Sequence, residues 1–385
     1  MAYSKRSRVK KEQQPKLIIR NATLGDITAI LTLSEAVYPG MNAYSAAMLK
    51  GQINRFAEGQ FVAEYEGTII GYCASIRIDE SKALRPHTWR EITGNGYGST
   101  HQPDGNYLYG MEIFVDKAYR RLRVGQRFYT ARKNLCQYHH LKGIVFGGRL
   151  PNLARHIKSG KVNNPQEYIE AVQAKQLADP VLSFHFRRGF EVHGILTNYY
   201  PTDQQSLGNA SHMIWKNPLA EKDEAAVKNK DYGLRFEDTV RVATIQYQQR
   251  HIQSFDEFAT IMHHFLEVVA DYRADFVLFP ELFTLQLLSI ENEAVAPDKA
   301  IEKLTEYTDQ LKSLFGNMAL QYNINIIAGS HPTRLEDNTI QNISYVCLRD
   351  GSIYEQPKIH PTPSESYWWK IDGGNKLDVI QTEFG

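Results

Sequence analysis

Gly110-Met111-Glu112-Ile113-Phe114-Val115-Asp116-Lys117-Ala118-Tyr119-Arg120-Arg121-Leu122-Arg123-Val124-Gly125-Gln126-Arg127 is the stretch whose reading decides the fold of the first half of this chain. Its left end completes an apolar run, Tyr107 to Val115, with the composition of a strand. Its right end opens a helix, Arg121 to Tyr138, and a short basic turn joins the two. Unpaired amides and the positive end of a helix dipole meet at such a turn, which suits a diphosphate anion. Gly125 would let that anion approach the backbone closely.

Outward from this stretch, Lys142 to Gly147 reads as a strand, and a strand, helix, strand order implies a parallel crossover. On the other side, Leu17-Ile18-Ile19 is a short strand. It is followed by a helix carrying Leu24, Ile27, Ile30, Leu31, Leu33 and Val37 and ended by Pro39-Gly40, then a second helix from about Tyr44 to Phe56. Phe61 to Tyr65 and Thr68 to Ile76 form a hairpin across Glu66-Gly67. Residues 79 to 106 read as a long loop. Further on come a helix from Pro165 to Ala178, another from Val181 to Arg188, and strands at Phe190 to Val192 and His212 to Trp215.

The Gly110–Arg127 stretch resembles motif A of the GNAT acetyltransferases, and the element order extends that resemblance over about Leu17 to Trp215. The resemblance implies a mixed, mostly antiparallel sheet flanked by helices, with acetyl-CoA as cosubstrate and a small-molecule amine as acceptor. By it, Ile113, Phe114 and Val115 offer strand amides to the thioester, and Arg120, Arg121, Leu122, Arg123, Val124, Gly125 and Gln126 hold the diphosphate. Arg120 and Gly125 match the ends of the motif, whereas Arg123 stands where its first glycine is expected. Arg123 either adds a cation to the site or blocks close approach of the backbone. Glu112 has the chemistry of the base that takes the amine's proton. Strand alternation puts it on one face with Phe114, which is either the cleft or solvent. Tyr109, Tyr168 and His156 are further candidates for proton transfer to the leaving thiolate.

A second pattern begins after residue 236. Val240 to Gln246 reads as a buried strand, Phe255 to Tyr272 as an amphipathic helix, and Asp275 to Glu281 as a strand ending in an acid. A helix from about Lys299 to Tyr322, a strand Ile324 to Gly329, and a hairpin of Ile343 to Arg349 and Ser352 to Gln356 continue an α/β alternation. Phe279-Pro280-Glu281-Leu282-Phe283 and Pro357-Lys358-Ile359-His360-Pro361-Thr362-Pro363-Ser364-Glu365, with Val242 to Gln246, resemble the carbon-nitrogen hydrolases. That resemblance implies the first part of a nitrilase-like αββα sandwich acting on an amide or nitrile, and self-association through this domain. By it, Glu281 is the general base, Lys358 the oxyanion stabiliser and Glu365 a supporting carboxylate. The nucleophile of the family is a cysteine that follows the lysine, and Asp378 to Gly385 looks like the hairpin leading to it. Cys73 and Cys136 lie in the other domain, and Cys347 precedes the lysine within an apolar run. The expectation is a hydrolase domain that stops before its nucleophile and is inactive in this chain.

Composition bounds the remainder. Lys+Arg 44 against Asp+Glu 43 leaves a net charge of +1, with no global field for nucleic acid or an anionic membrane. The five basic residues within Met1 to Lys11 read as a solvated terminus. Three scattered cysteines and the lack of an apolar run of membrane length suit a cytoplasmic protein, and no spacing suggests a metal. The expected organisation is a basic tail 1–16, a GNAT domain 17–217, a linker 218–237 and a partial hydrolase domain 238–385. The competing function is a CoA-binding sensor or scaffold without turnover in either half.

Overall fold

A computed structural model describes residues 15–39, 44–220, 239–291 and 294–385. Most of the expected tail and linker lies outside the described residues. The chain divides into two compact units, one of them Ile18–Phe236 and the other built on Glu237–Gly385. Among the described residues no helix is long and apolar enough to cross a membrane.

The first unit runs β1 (Leu17–Asn21), α1 (Ile27–Val37), α2 (Ala46–Arg55), β2 (Gln60–Tyr65), β3 (Thr68–Ile78), α3 (Glu80–Ala83) and α4 (Trp89–Thr93). It continues with β4 (Tyr107–Val115), α5 (Val124–Tyr138), β5 (Gly143–Arg149), α6 (Leu153–Lys158), α7 (Pro165–Gln173), α8 (Pro180–Arg187), β6 (Glu191–Leu196) and β7 (Ala210–Lys216). Seven strands form one sheet in the order β1-β2-β3-β4-β5-β7-β6. The β4–β5 pair is parallel, while β2–β3, β3–β4, β5–β7 and β6–β7 are antiparallel. Ile30, Leu33, Leu49 and Ile53 of α1 and α2 bury one face with Val62, Tyr72, Ile76 and Tyr109.

Local chemistry sets the boundaries. Ser45 caps α2 by accepting from the Met48 amide, and Asp179 caps α8 by accepting from Val181 and Leu182, with Pro180 in the first turn. Residues 79 to 106, expected as loop, hold α3 and α4, because Thr88 caps a turn that Gly94 ends at φ +59°. The helix expected from Arg121 begins at Val124: Lys117–Leu122 is 3-10 and Arg123 interrupts at φ +53°.

The second unit contains β8 (Val242–Thr244), α9 (Phe255–Asp271), β9 (Phe276–Leu278), α10 (Leu288–Glu291), α11 (Pro297–Leu304), α12 (Thr308–Tyr322), β10 (Asn325–Ile327) and β11 (His331–Arg334). Then follow β12 (Ile340–Cys347), β13 (Ile353–Pro357), α13 (Pro363–Trp368) and β14 (Ile371–Asp372). The helix expected over Lys299 to Tyr322 is α11 and α12, separated by a 3-10 turn, and β11 was not foreseen. Asp378 to Gly385, expected as a hairpin, contains no strand. β8, β9 and β10 are parallel, and β12 returns antiparallel beside β10. Register places Ala243, Val277, Ile326 and Cys347 on the face buried under α9 and α12. Thr244, Leu278, Ile327, Val346 and Tyr354 point to the opposite face.

Candidate active sites

In the first unit the site forms where β4 leaves β5. The two strands pair only from Tyr107–Tyr109 to Gly143–Val145, so among the strands Gly110 to Val115 pairs with β3 alone. A bulge lies in this stretch, since Ala74 faces Glu112 while Ser75 faces Gly110, leaving Met111 as the extra residue. Arg132 of α5, 2% exposed, holds the bulge open. Its Nη2 donates to the carbonyls of Ala74 (2.6 Å) and Glu112 (2.7 Å), and its Nε to Ser75 Oγ (3.0 Å). Gly110 leaves room for this group, because a Cβ there would lie 2.8 Å from Arg132 Nη1.

The extra residue shifts the alternation by one. Glu112 and Phe114 therefore join Tyr109 on the α1 and α2 face, where Glu112 meets Tyr38 and Tyr44. The Glu112 carboxylate accepts from Tyr44 Oη (3.0 Å), Tyr38 Oη (3.3 Å) and the Ile113 amide (3.0 Å). Burial raises its proton affinity above the usual carboxylate value, and these bonds oppose that only in part. A carboxyl tuned upward in this way is a better base near neutrality.

The turn after β4 is built by Asp116, which accepts from the Ala118 amide (2.9 Å), and by Arg123 in the left-handed region. The position where a glycine was expected thus does demand a backbone that glycine favours, and arginine adopts it at a cost of about 1 kcal/mol. The amides of Gln126 and Arg127 bond to the Arg123 carbonyl at 2.9 and 3.2 Å, and the side chain of Arg123, the N-cap residue, makes no capping bond to α5. First-turn amides lack partners inside their own helix, so Val124 and Gly125 present donors at this end. Arg120 and Arg121 are exposed, and Arg123 is half-buried.

The other proton-transfer candidates separate. Tyr168 gives its hydroxyl to Asp179 (2.5 Å), whose other oxygen caps α8. His156 packs beside it, with ring centroids 5.7 Å apart. Tyr109 instead bonds at 2.8 Å to His87 and at 2.9 Å to Tyr199, neither of which sequence reasoning singled out. Tyr38, Tyr44 and Arg132 were also missed. Their polar atoms converge only through the bulge, which no periodicity reports.

In the second unit Glu281, Lys358 and Glu365 come together although 84 residues separate the first from the last. Glu281 follows β9 on a turn pressed against Gly329, where φ is +54° and a Cβ would lie 2.1 Å from the Pro280 carbonyl oxygen. Lys358 follows β13 and extends its pairing by donating its amide to Asn342 (2.8 Å). Glu365 closes a capping box with Thr362 at the start of α13. Lys358 Nζ bridges Glu281 Oε1 (2.8 Å) and Glu365 Oε2 (2.7 Å). Burial pulls the lysine's proton affinity down, but the two carboxylates outweigh it and the net shift is upward. For Glu365, burial pulls upward while Lys358 and Thr362 bring the net shift below the usual range.

Asn342, 1% exposed, donates to both carboxylates, at 3.2 Å to Glu281 and 3.4 Å to Glu365. It too was missed; an asparagine inside an apolar strand was the available signal. An open cleft of about 470 Å³ lies over the cluster, lined by Thr244, Leu278, Glu281, Asn342, Ser344 and Lys358. Cys347 is five residues from Asn342 along β12, about 17 Å at strand rise, and on the opposite face. Burial pushes its thiol up to about 12, and that of Cys73 up to about 11. Both behave as core thiols.

Comparison with known proteins agrees with both halves. The acetyltransferase (GNAT) family model matches residues 28–156, and the carbon-nitrogen hydrolase model matches residues 241–385. The probable hydrolase YhcX of Bacillus subtilis (strain 168) is 41% identical over 372 residues, 97% of this chain and 71% of that protein. The uncharacterized N-acetyltransferase YkwB of the same organism is 32% identical over 210 residues, 54% of this chain and 91% of that protein. Among solved structures, the GNAT-like decarboxylase GphF in complex with isobutyryl-CoA is similar over 52% of this chain and 99% of its own, with 24% identity and a TM-score of 0.44. The bulged, splayed strand pair of the first unit and the Glu281–Lys358–Glu365 cluster of the second thus sit in a chain that belongs to the GNAT acetyltransferase family in its first part and to the carbon-nitrogen hydrolase family in its second.

Proposed function

We propose that the first unit transfers an acetyl group from acetyl-CoA to the nitrogen of a small-molecule amine. The observation that carries this reading is the parting of β4 from β5 beyond Tyr109, beside a helix start whose N-cap residue, Arg123, makes no capping bond with its side chain. The Val124 and Gly125 amides and the arginines around them bind the diphosphate, while the strand edge at Val115, next to the Ile113 amide that Glu112 holds, faces the thioester. Glu112 takes a proton from the amine as its nitrogen bonds to the acetyl carbon and the carbon–sulfur bond breaks. The proton then returns to the thiolate, so free CoA leaves as the thiol.

The second unit holds the base and the oxyanion-stabilising cation of amide or nitrile hydrolysis. Glu281 is the carboxylate that accepts the nucleophile's proton, Lys358 the donor to a developing oxyanion, and Glu365 with Asn342 the pair that fixes them. Cys347, the cysteine of this unit among the described residues, is buried on the sheet face opposite Asn342.

The test is CoA-thiol release over a panel of amines with wild type and Glu112→Gln. Wild type is expected to release thiol, and the variant to lose about 10²-fold or more in turnover with acetyl-CoA binding retained. Saturable acetyl-CoA binding without release on any amine would favour a CoA sensor instead.

A further inference from the structure

Arg149, the last residue of β5, is carried to the same side of the sheet as Glu112. Side chains alternate along β5: Phe146 meets Tyr129 of α5, ring centroids 5.7 Å apart, and a Cβ on Gly148 would lie 3.2 Å from the His185 ring of α8. Val145, Gly147 and Arg149 therefore belong to the α1 and α2 side, where Val145 joins Tyr109 in the core and the Tyr199 ring lies on Gly147. Val145 pairs with Tyr109, and the bulge sets Glu112 one layer beyond Tyr109. Arg149 stands two layers beyond Val145, so it lies one layer, about 6.6 Å, past Glu112 on the strand across the gap.

The guanidinium is held in one orientation. Its Nε and Nη2 donate to the two oxygens of Asp203, at 2.7 and 2.8 Å, as a parallel pair of bonds. Nη2 also reaches Gln205 Oε1 at 3.3 Å. Asp203 has further anchors of its own, since Ser206 Oγ (2.7 Å) and the Gln205 amide (3.2 Å) donate to it and its side chain is 8% exposed. The Arg149 side chain is 55% exposed, and among the described residues its Nη1 donates to no partner. Glu112 and Tyr38, which donates to it at 3.3 Å, are half-buried, so solvent reaches all three groups. Asp203 above all tightens the hold of Arg149 on its proton, against the pull of burial, and Tyr38 and Glu112 add to it from the same neighbourhood.

This side of the cleft thus presents a carboxylate and, one layer away, an anchored cation with two unused N–H groups. We propose that Arg149 Nη1 binds a carboxylate on the acceptor, so that the first unit acetylates amines that carry an acid group, amino acids among them. The inference deepens the acetyltransferase reading and rests on it. A guanidinium already paired along one edge matches a single carboxylate, whereas a phosphate dianion would stay uncompensated beside Glu112 and Asp203. With its acid on Arg149, the acceptor points its amine back along the sheet toward Glu112. Nitrogen still bonds to the acetyl carbon as the carbon–sulfur bond breaks, and Arg149 takes no part in that step.

The experiment measures CoA-thiol release by wild type, Arg149→Gln and Arg149→Lys with the standard amino acids, β-alanine and 4-aminobutyrate, each beside its own carboxamide. Acid and amide differ in amine basicity, so the acid-to-amide ratio of kcat/KM is compared between proteins, where basicity cancels. Wild type is expected to favour at least one acid over its amide. Arg149→Gln should lower kcat/KM for that acid about tenfold or more, chiefly through KM, and change the amide by less than about threefold. Arg149→Lys should keep part of the preference. Equal losses on acid and amide would show a structural role for the Arg149–Asp203 pair and overturn the inference, as would an acid preference that survives Arg149→Gln. Wild-type release that is faster with amines lacking an acid group rejects the inference and leaves the acetyltransferase reading standing. Absence of release with every amine rejects both.

Discussion

An aspartate in place of Gly125 puts one negative charge in the first turn of α5, beside the amides proposed to receive the diphosphate. The backbone there is ordinary helix, and an added Cβ would meet nothing nearer than Phe184 Cζ at 3.6 Å, a normal contact. Helix propensity improves by about 0.3 kcal/mol, and an acid in the first turn adds about 0.3–1 kcal/mol through the dipole. The variant is therefore expected to fold and to melt no earlier than wild type. Two unit charges about 5 Å apart at an effective dielectric near 20 repel by about 3 kcal/mol, and salt lowers this to about 2 kcal/mol. Acetyl-CoA affinity should fall about 30-fold. Calorimetric titration beside a thermal melt reads both quantities, and Gly125→Asn supplies the same bulk without the charge, for which a loss below about threefold is expected. A folded Gly125→Asp protein with wild-type affinity would refute the cradle. So would an asparagine variant that loses as much as the aspartate.

Other consequences concern the second unit. Gly329→Ala meets both a left-handed backbone and the Pro280 carbonyl, and should destabilise this unit by about 2 kcal/mol or more in a denaturant titration. A change below about 0.5 kcal/mol would mean that the Pro280–Leu282 turn is not braced there. Lys358→Met removes the cation between Glu281 and Glu365 and should reverse a pH dependence. In wild type the folded Glu365 value lies below its ordinary 4.5, so its contribution to stability is present above that pH and fades as pH falls through the folded value. In the variant the buried carboxylate has no ammonium and is pushed upward, so the unit should gain stability on acidification from pH 7 toward 5. Parallel pH dependences of the two proteins would contradict that coupling.

How much was legible in the sequence can be judged residue by residue. Phe128, Leu135 and Cys136 keep helical spacing, so α5 was found, whereas its start was placed too early because the 3-10 turn over Lys117–Leu122 carries the same side-chain types. The Arg123 departure from the glycine pattern was visible; that its backbone still takes the glycine conformation was not, since φ leaves no trace in composition. The bulge at Met111 was illegible for a deeper reason. It is held by Arg132, distant in sequence, and it alone brings Glu112 and Tyr109 to one face. Glu281, Lys358 and Glu365 were named together only because three short motifs matched a family pattern. Physical chemistry explains their meeting afterwards, through the register that sets Lys358 against Asn342. α11 and α12 were merged because Leu304 and Leu311, seven residues apart, keep a helical spacing across the intervening turn.

The most direct measurement is a crystal structure of the full chain with acetyl-CoA. The diphosphate should lie against the amides of Val124 and Gly125, with the thioester between the parted strands within reach of Glu112. Cofactor density elsewhere on the protein, with the Arg120–Gly125 turn closed on its own side chains, would contradict the acetyltransferase assignment.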